Sequence, residues 1–284
     1  MKISIIINTI LALVFLASNS ILCKLAFQNN GISAFSFTSI RLASGALMLF
    51  ILVKVLSNKK QKYNNNFLSG FMLFVYAISF SYAYLLLDTG VGALILFGTV
   101  QIVMICFAYY QNEHISIFKI IGCLISFGGL LYLLLPNDES TITFDGAFLM
   151  LISGIAWAIY SIVGKSTNNP LLITSSNFSI SLIFIVIVSS FLFSNESIQT
   201  SSFIYAFLSG AITSGIGYIL WYSVISKIET STASIVQLCV PLIATFGGVL
   251  LLNEALTTHL IVSTIIILTG ITLSIIQFKT IIKI

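Results

Sequence analysis

Apolar runs of about 20 residues recur along this chain, separated by short polar breaks, and charge is nearly absent from the runs. They occupy 3–23, 34–54, 67–87, 91–111, 116–135, 146–164, 172–193, 203–224, 232–252 and 258–278. A helix of about 20 apolar residues crosses a hydrocarbon core of about 30 Å. Only a helix or a closed barrel satisfies every backbone polar group there. Transmembrane strands would alternate over about ten residues, and the run 3–23 does not alternate. The pattern therefore predicts an all-α membrane protein with ten transmembrane helices. The breaks carry turn chemistry in Asn29-Asn30-Gly31, Asn58-Lys59-Lys60, Asn64-Asn65-Asn66, Pro136-Asn137-Asp138 and Asn168-Asn169-Pro170. The short connection Asp88-Thr89-Gly90 predicts that spans three and four are antiparallel neighbours.

Composition agrees. Hydrophobic residues make up 58% of the chain and charged residues 7%, with a mean hydropathy of +1.11. Spans of about 20 residues leave only short loops, with no room for a soluble domain. The net charge of +4 sits on lysines at segment ends, not on one face, so no nucleic-acid partner is implied.

Lysine also sets orientation. With the N-terminus in the cytoplasm, Lys2, Lys54, Lys59, Lys60, Lys62, Lys119, Lys165, Lys227, Lys279 and Lys283 fall inside or at inner ends. Lys24 falls outside and Arg41 lies within a span. This positive-inside bias predicts that both termini are cytoplasmic, with Asp138-Glu139…Asp145 and Glu196 external. The first run, with Lys2 before it and Ala17-Ser18-Asn19-Ser20 within it, resembles a signal peptide. At 21 residues it is long for a signal core, and it is read as a retained span.

The chain repeats itself. A shift of 141 positions places Ser20 on Ser161, Lys24 on Lys165, Thr89 on Thr230, Glu113 on Glu254 and Gly129 on Gly270. The text around Phe107–Glu113 likewise falls on Gly248–Glu254. Residues 1–135 form the first half, 146–284 the second, and 136–145 an external linker. Each half holds five spans, an odd number, so the second half enters the membrane from the opposite face. The expectation is two inverted five-helix repeats, an architecture that supports alternating access in secondary transporters.

Each half resembles an EamA domain of the drug/metabolite transporter superfamily. In the first half the resemblance rests on Asn19-Ser-Ile-Leu-Cys-Lys24, Arg41, Tyr82-Ala-Tyr-Leu-Leu-Leu-Asp-Thr-Gly-Val-Gly-Ala-Leu94, Asn112-Glu113, Gly122 and Gly128-Gly129. In the second it rests on Ile155-Ala-Trp-Ala-Ile-Tyr160, Ser231-Thr-Ala-Ser-Ile-Val-Gln-Leu-Cys-Val-Pro241, Asn253-Glu254 and Gly270. The resemblance implies a ten-span carrier of the bacterial inner membrane that exports a small metabolite or amino-acid-like compound. A lipid or lipid-linked flippase shares this fold and stays as the alternative; a membrane-embedded enzyme is a more distant one. The family's mid-helix proline is present as Pro241, a kink or gating candidate, but Val100-Gln101 replaces it in the first half.

Arg41 is the one charge set well inside a span. Such an arginine costs about 2.5–3.5 kcal/mol on insertion scales and needs a partner or a watery cavity. It is either a cationic lining of the substrate path or a structural arginine that snorkels to the outer surface or pairs with a group such as Asp88. Gln101 and Gln237 place amides within spans four and nine, as interhelical glue or cavity lining. Gln237 shares its face with Ala233, Pro241, Ala244 and Gly248. Span eight carries Gly210, Ser214, Gly217, Tyr218 and Trp221 on one face. Asn177, Tyr82, Tyr84, Trp157, Tyr160 and Tyr222 are further pathway candidates, against packing or an interfacial aromatic belt. Lys119 reads as an interfacial anchor, and Lys24 as snorkelling to the outer surface. Glu113 and Glu254 read as caps at helix ends.

No catalytic constellation, metal site or cofactor is implied. His114 and His259 lack a second ligand at metal spacing. Cys23, Cys106, Cys123 and Cys239 are scattered through apolar runs. Gly164-Lys165-Ser166 resembles the end of a phosphate loop, but Ile159 stands where its first glycine belongs. The implied partners are the bilayer and a small-molecule substrate, with the coupling ion or exchanged solute left open.

Overall fold

The structure is a computed structural model that describes residues 3–56, 66–113, 115–135, 142–192 and 196–275. The expectations for Lys2, Lys59, Lys60, Lys62, His114, Asp138, Glu139, Lys279 and Lys283, and for 276–278, fall outside those residues. The described residues form ten helical rods and no strand. They are α1 (Ile3–Phe27), α2 (Ala34–Leu56), α3 (Phe67–Tyr84), α4 (Thr89–Tyr110), α5 (Ile117–Leu134), α6 (Phe144–Gly164), α7 (Pro170–Leu192), α8 (Thr200–Ile225), α9 (Thr230–Leu252) and α10 (Thr258–Ile275). Eight are long and apolar enough to cross a membrane, while α5 and α10 are shorter apolar helices.

The polar breaks set the helix starts. Asn66 Oδ1 accepts from the Ser69 amide at 3.0 Å, and Ser116 Oγ from the Lys119 amide at 3.3 Å. Asn169 Oδ1 accepts from the Leu172 amide at 3.1 Å ahead of Pro170, whose missing N–H costs nothing at the first helical position. These side chains satisfy donors that have no partner in the first turn.

The polarity of the bundle is inverted relative to a protein in water. Leu47, Phe50, Val186, Ile187, Phe191, Phe246 and Leu250 are exposed on its surface. Asn19, Arg41, Gln101, Asn177, Gln237 and many serines and threonines are buried inside. Lipid is as apolar as leucine, so packing and interhelical hydrogen bonds must hold such helices together.

The packing pairs are reciprocal under the 141-residue shift. Helix α3 lies along α6, as α8 lies along α1. Helix α4 lies along α6, as α9 lies along α1. Helix α3 meets α7, as α8 meets α2. The pairs α2–α7, α4–α9 and α5–α10 map onto themselves. In the last pair, a Cβ on Gly122 would collide with the Gly270 carbonyl, and one on Gly270 with the Gly122 carbonyl. Ser126 Oγ donates to the Ile267 carbonyl across the same seam at 3.2 Å.

One expectation is corrected. Helices α3 and α4 are joined by Leu85–Asp88 but barely pack on each other, because α6 lies against both. Gly154 of α6 allows this approach, since a Cβ there would meet the Leu96 carbonyl at 2.7 Å. The two halves also differ. Helix α9 breaks at Gln237–Leu238, while α4 runs unbroken through Val100. Pro241 has no N–H for the Gln237 carbonyl, which accepts from Val240 at 2.9 Å in a tighter turn.

Candidate functional site

Helices α2, α3, α6 and α8 meet around Arg41, which is 1% exposed. Small residues make the meeting close. The Phe178 ring fills the space beside Gly45, and Gly210 of α8 rests on the Arg41 carbonyl and Ser44 Oγ. Residues Ser209–Ile216 of α8 form a π-helical stretch, a widened turn often found at functional sites. Asn19 of α1 anchors this stretch. Its Oδ1 faces the hydroxyls of Ser209 at 2.8 Å, Thr213 at 2.7 Å and Ser214 at 3.1 Å.

Ser214 passes the constraint to the arginine, its Oγ accepting from Arg41 Nε at 2.9 Å. Arg41 Nη2 donates to Tyr218 at 2.6 Å and to Tyr76 at 3.1 Å. The guanidinium carbon lies 5.2 Å from the Tyr76 ring centroid and 5.0 Å from that of Phe80, within cation–π range. Nη1 has no partner among the described residues. The expected alternative of a pair with Asp88 is not formed: Asp88 is exposed, and among the described residues the ion pairs are Lys119–Glu229 and Lys165–Glu113. Arg41 is thus a buried cation held by neutral hydroxyls and ring faces.

An aromatic wall continues from it. The Trp157 ring lies 4.9 Å from Tyr76, 4.8 Å from Tyr218 and 5.4 Å from Tyr160. Trp157 Nε1 donates to Gln237 Oε1 at 2.7 Å, which ties the wall to the break in α9. The structure therefore brings Arg41, Tyr160, Tyr218 and Gln237 into one cluster. Asn177 lies at its margin and donates to the Tyr222 hydroxyl at 3.4 Å. Three candidates stand apart. Trp221 donates to Ser161 at 3.0 Å, away from the arginine. Tyr82 is half-buried on another face of α3 from Tyr76, Phe80 and Tyr84. Gln101 is buried with its amide nitrogen unpartnered, and no hydrogen bond joins it to the cluster.

Sequence reading missed Tyr76 and Phe80 as site residues and missed the anchoring part of Asn19. The four-residue spacing of Tyr76, Phe80 and Tyr84 marks one helix face and was the available signal.

Two clasps lie at opposite ends of the bundle. Glu113 follows α4 and accepts from the Thr230 amide at 3.0 Å, the Ser231 amide at 3.1 Å and Lys165 Nζ at 3.0 Å. It thereby caps the start of α9. Burial raises the Glu113 pKa, but the bonds from Thr230, Ser231 and Lys165 outweigh it and hold the carboxyl at about 2. Glu254 follows α9 and accepts from the Thr89 amide at 2.9 Å and the Thr89 hydroxyl at 2.6 Å, capping α4. Asn112 and Asn253, each just before its glutamate, adopt φ of 56° and 55°, a left-handed conformation that asparagine tolerates.

Lys119 is corrected from interfacial anchor to buried partner. Its Nζ reaches Glu229 at 3.3 Å and Ser231 at 2.8 Å, at the same capped start of α9. Lys24 lines a groove with Asp88 and Glu254, and its Nζ donates to the Tyr84 carbonyl at 3.4 Å. His259 stacks on Tyr132 at 4.4 Å and meets the Leu133 carbonyl at 3.2 Å, a packing role. Among the described residues no group of three or more His, Cys, Asp or Glu could hold a metal ion.

Comparison with known proteins adds the lineage. Residues 145–276 match the model of the EamA-like transporter family. An uncharacterized protein of Pseudomonas aeruginosa is 39% identical over 265 residues, covering 93% of this chain and 92% of its own. The uncharacterized transporter YoaV of Bacillus subtilis is 23% identical over 258 residues, 86% of this chain and 87% of its own. An uncharacterized transporter of Archaeoglobus fulgidus is 27% identical over 205 residues, 69% and 71%. A solved structure described only as a crystal structure of protein superposes with a TM-score of 0.73 over 97% of both chains, at 13% identity, which speaks to the fold alone. The chain is a multi-helix membrane protein and belongs to the EamA-like transporter family.

Proposed function

We propose that this protein is a secondary-active transporter that moves a small metabolite across the cell membrane by alternating access, as an exporter. It does so with ten spans, arranged as inverted repeats over 1–135 and 146–284, and with both termini in the cytoplasm. The observation that carries this reading is the reciprocity of the two clasps. Glu113 of the first half caps α9 of the second, and Glu254 of the second caps α4 of the first. A machine that opens to either face in turn needs equivalent closures at both ends around a shared centre. In this reading the shared centre is the buried cluster of Arg41 and its aromatic wall, which α2, α3, α6 and α8 enclose.

The test is an unbiased comparison of metabolites in the medium of cells that overexpress the protein and cells that lack it. At least one small solute should accumulate outside the first and be retained inside the second. Identical profiles, together with lipid translocation by the purified protein in vesicles, would replace the transporter by a flippase.

A further inference from the structure

The chemistry of the Arg41 cluster narrows the transported solute, and this inference rests on the transporter reading above. A guanidinium has five N–H donors in a planar fork. Ser214 takes the one on Nε, and Tyr76 and Tyr218 take those on Nη2. The two on Nη1 have no partner among the described residues, although Arg41 is fully enclosed. Burying a cation without an anion is costly. Ring faces and neutral hydroxyls offset only part of that cost.

We propose that the Nη1–Nη2 edge of Arg41 binds the carboxylate of a small organic monoanion, whose flat apolar body lies among Tyr76, Trp157 and Tyr218. Three features direct the choice. Asn19 fixes Ser214, and Ser214 fixes Nε, so the fork is aimed with Nη1 unpartnered and Nη2 bonded to the two phenols. The phenols on Nη2 are neutral acceptors, which a carboxylate displaces because charge-assisted bidentate bonds are stronger. The adjoining Tyr76 and Tyr218 rings, packed at 4.8–4.9 Å from Trp157, make the surroundings of the fork aromatic and apolar, so a flat apolar body would enter by parting them. No Asp or Glu among the described residues bonds any member of the cluster. The ammonium of an amino acid would therefore lie beside Arg41 with no counter-charge. The site selects a simple carboxylate over a zwitterion.

The test uses the purified full chain in lipid nanodiscs, with intrinsic tryptophan fluorescence as the readout. Benzoate, phenylacetate and butyrate are titrated, with benzamide as the neutral match for benzoate and phenylalanine as the zwitterion. At least one carboxylate should bind saturably. Benzamide and phenylalanine should bind about tenfold more weakly or worse, the scale of one lost hydrogen bond to a charged group. Arg41→Gln should lose carboxylate binding by a similar factor, and Arg41→Lys should fall between. Equal binding of benzoate and benzamide overturns the proposal. So does carboxylate binding unchanged in Arg41→Gln, tighter binding of phenylalanine, or no response to any carboxylate. If Arg41→Gln fails to reach the membrane, the benzoate–benzamide contrast and Arg41→Lys decide. Arg41-dependent binding without uptake into proteoliposomes keeps the site and sinks the transporter reading. Uptake of a neutral solute that survives in Arg41→Gln does the reverse.

Discussion

The Glu113 carboxylate accepts the backbone amide of Thr230 at 3.0 Å, so the end of a helix in one half of the chain caps the start of a helix in the other. The matching bond 141 residues on, from Thr89 to Glu254, is 2.9 Å long and lies at the opposite end of the bundle. A carboxylate at a helix N-terminus is favoured by the unpaired amides and by the helix dipole. The same two bonds therefore stabilise individual helices and join the halves.

The first clasp has a defined pH response. Glu113 titrates at about 2 in the folded protein against an ordinary 4.5. A depressed carboxyl contributes stability above the unfolded value and loses it as pH falls through the folded one. Glu113→Gln should melt lower than the parent by a constant margin from about pH 5 to 8, of about 1 kcal/mol for a lost cap. The margin should shrink below pH 4.5 and close near 2. Thermal melts of both proteins across that range check it, and a margin that widens in acid would contradict the assignment.

The seam between α5 and α10 should tolerate no side chain at two of its glycines. A Cβ on Gly122 meets the Gly270 carbonyl, and backbone cannot swing aside. Gly122→Ala and Gly270→Ala should each cost about 1–3 kcal/mol by overpacking. Gly128 has nothing within 4 Å of an added Cβ, so Gly128→Ala is the matched control. It should melt at or slightly above the parent, since alanine favours helix. Equal melts for all three would mean the helices do not meet at this seam.

Orientation is open to chemical labelling. With Cys23, Cys106, Cys123 and Cys239 replaced, Asn30→Cys should react with an impermeant maleimide in intact cells. Asn168→Cys should react only after permeabilisation. The opposite pattern would invert the lysine-based topology.

Much of the fold was legible because bilayer length and backbone satisfaction leave few choices. The 141-residue shift was readable because lysine, glutamate and glycine stand out in an isoleucine-rich text; of the residues it pairs, Glu113, Lys165, Thr230, Glu254 and Thr89 lie in the clasps and Gly270 in the α5–α10 seam. Arg41 was legible from its cost in the bilayer, but its partners were not. A tyrosine at position 76 looks the same in sequence whether it faces lipid, packs or bonds a cation. Which helices touch is likewise unmarked, so the link from Asp88 suggested an α3–α4 pair where α6 intervenes. Tyr82, though in the family-like segment, faces away from the cluster. Lys119 was misread because its partner Glu229 lies 110 residues away.

The asymmetry at Pro241 makes the last prediction. The 141-residue shift places Pro241 on Val100, yet α9 is broken before the proline and α4 is continuous through the valine. Proline removes the amide that would bond four residues back, and the Gln237 carbonyl turns to Val240 instead. That break carries Gln237, whose side chain accepts from Trp157 in the wall beside Arg41. If α9 bends at this break, the Trp157 side of the wall should move with it, whereas α4 has no break at the matching position. Pro241→Ala restores an amide and should leave the melting temperature unchanged or raised, while slowing transport as α9 stiffens. Val100→Pro inserts proline into a buried, bonded helix and should cost about 3 kcal/mol, with loss of folded protein in detergent. Transport rates and melts of the two variants decide the matter. If Pro241→Ala transports at the parent rate, the break is a packing feature and not a joint.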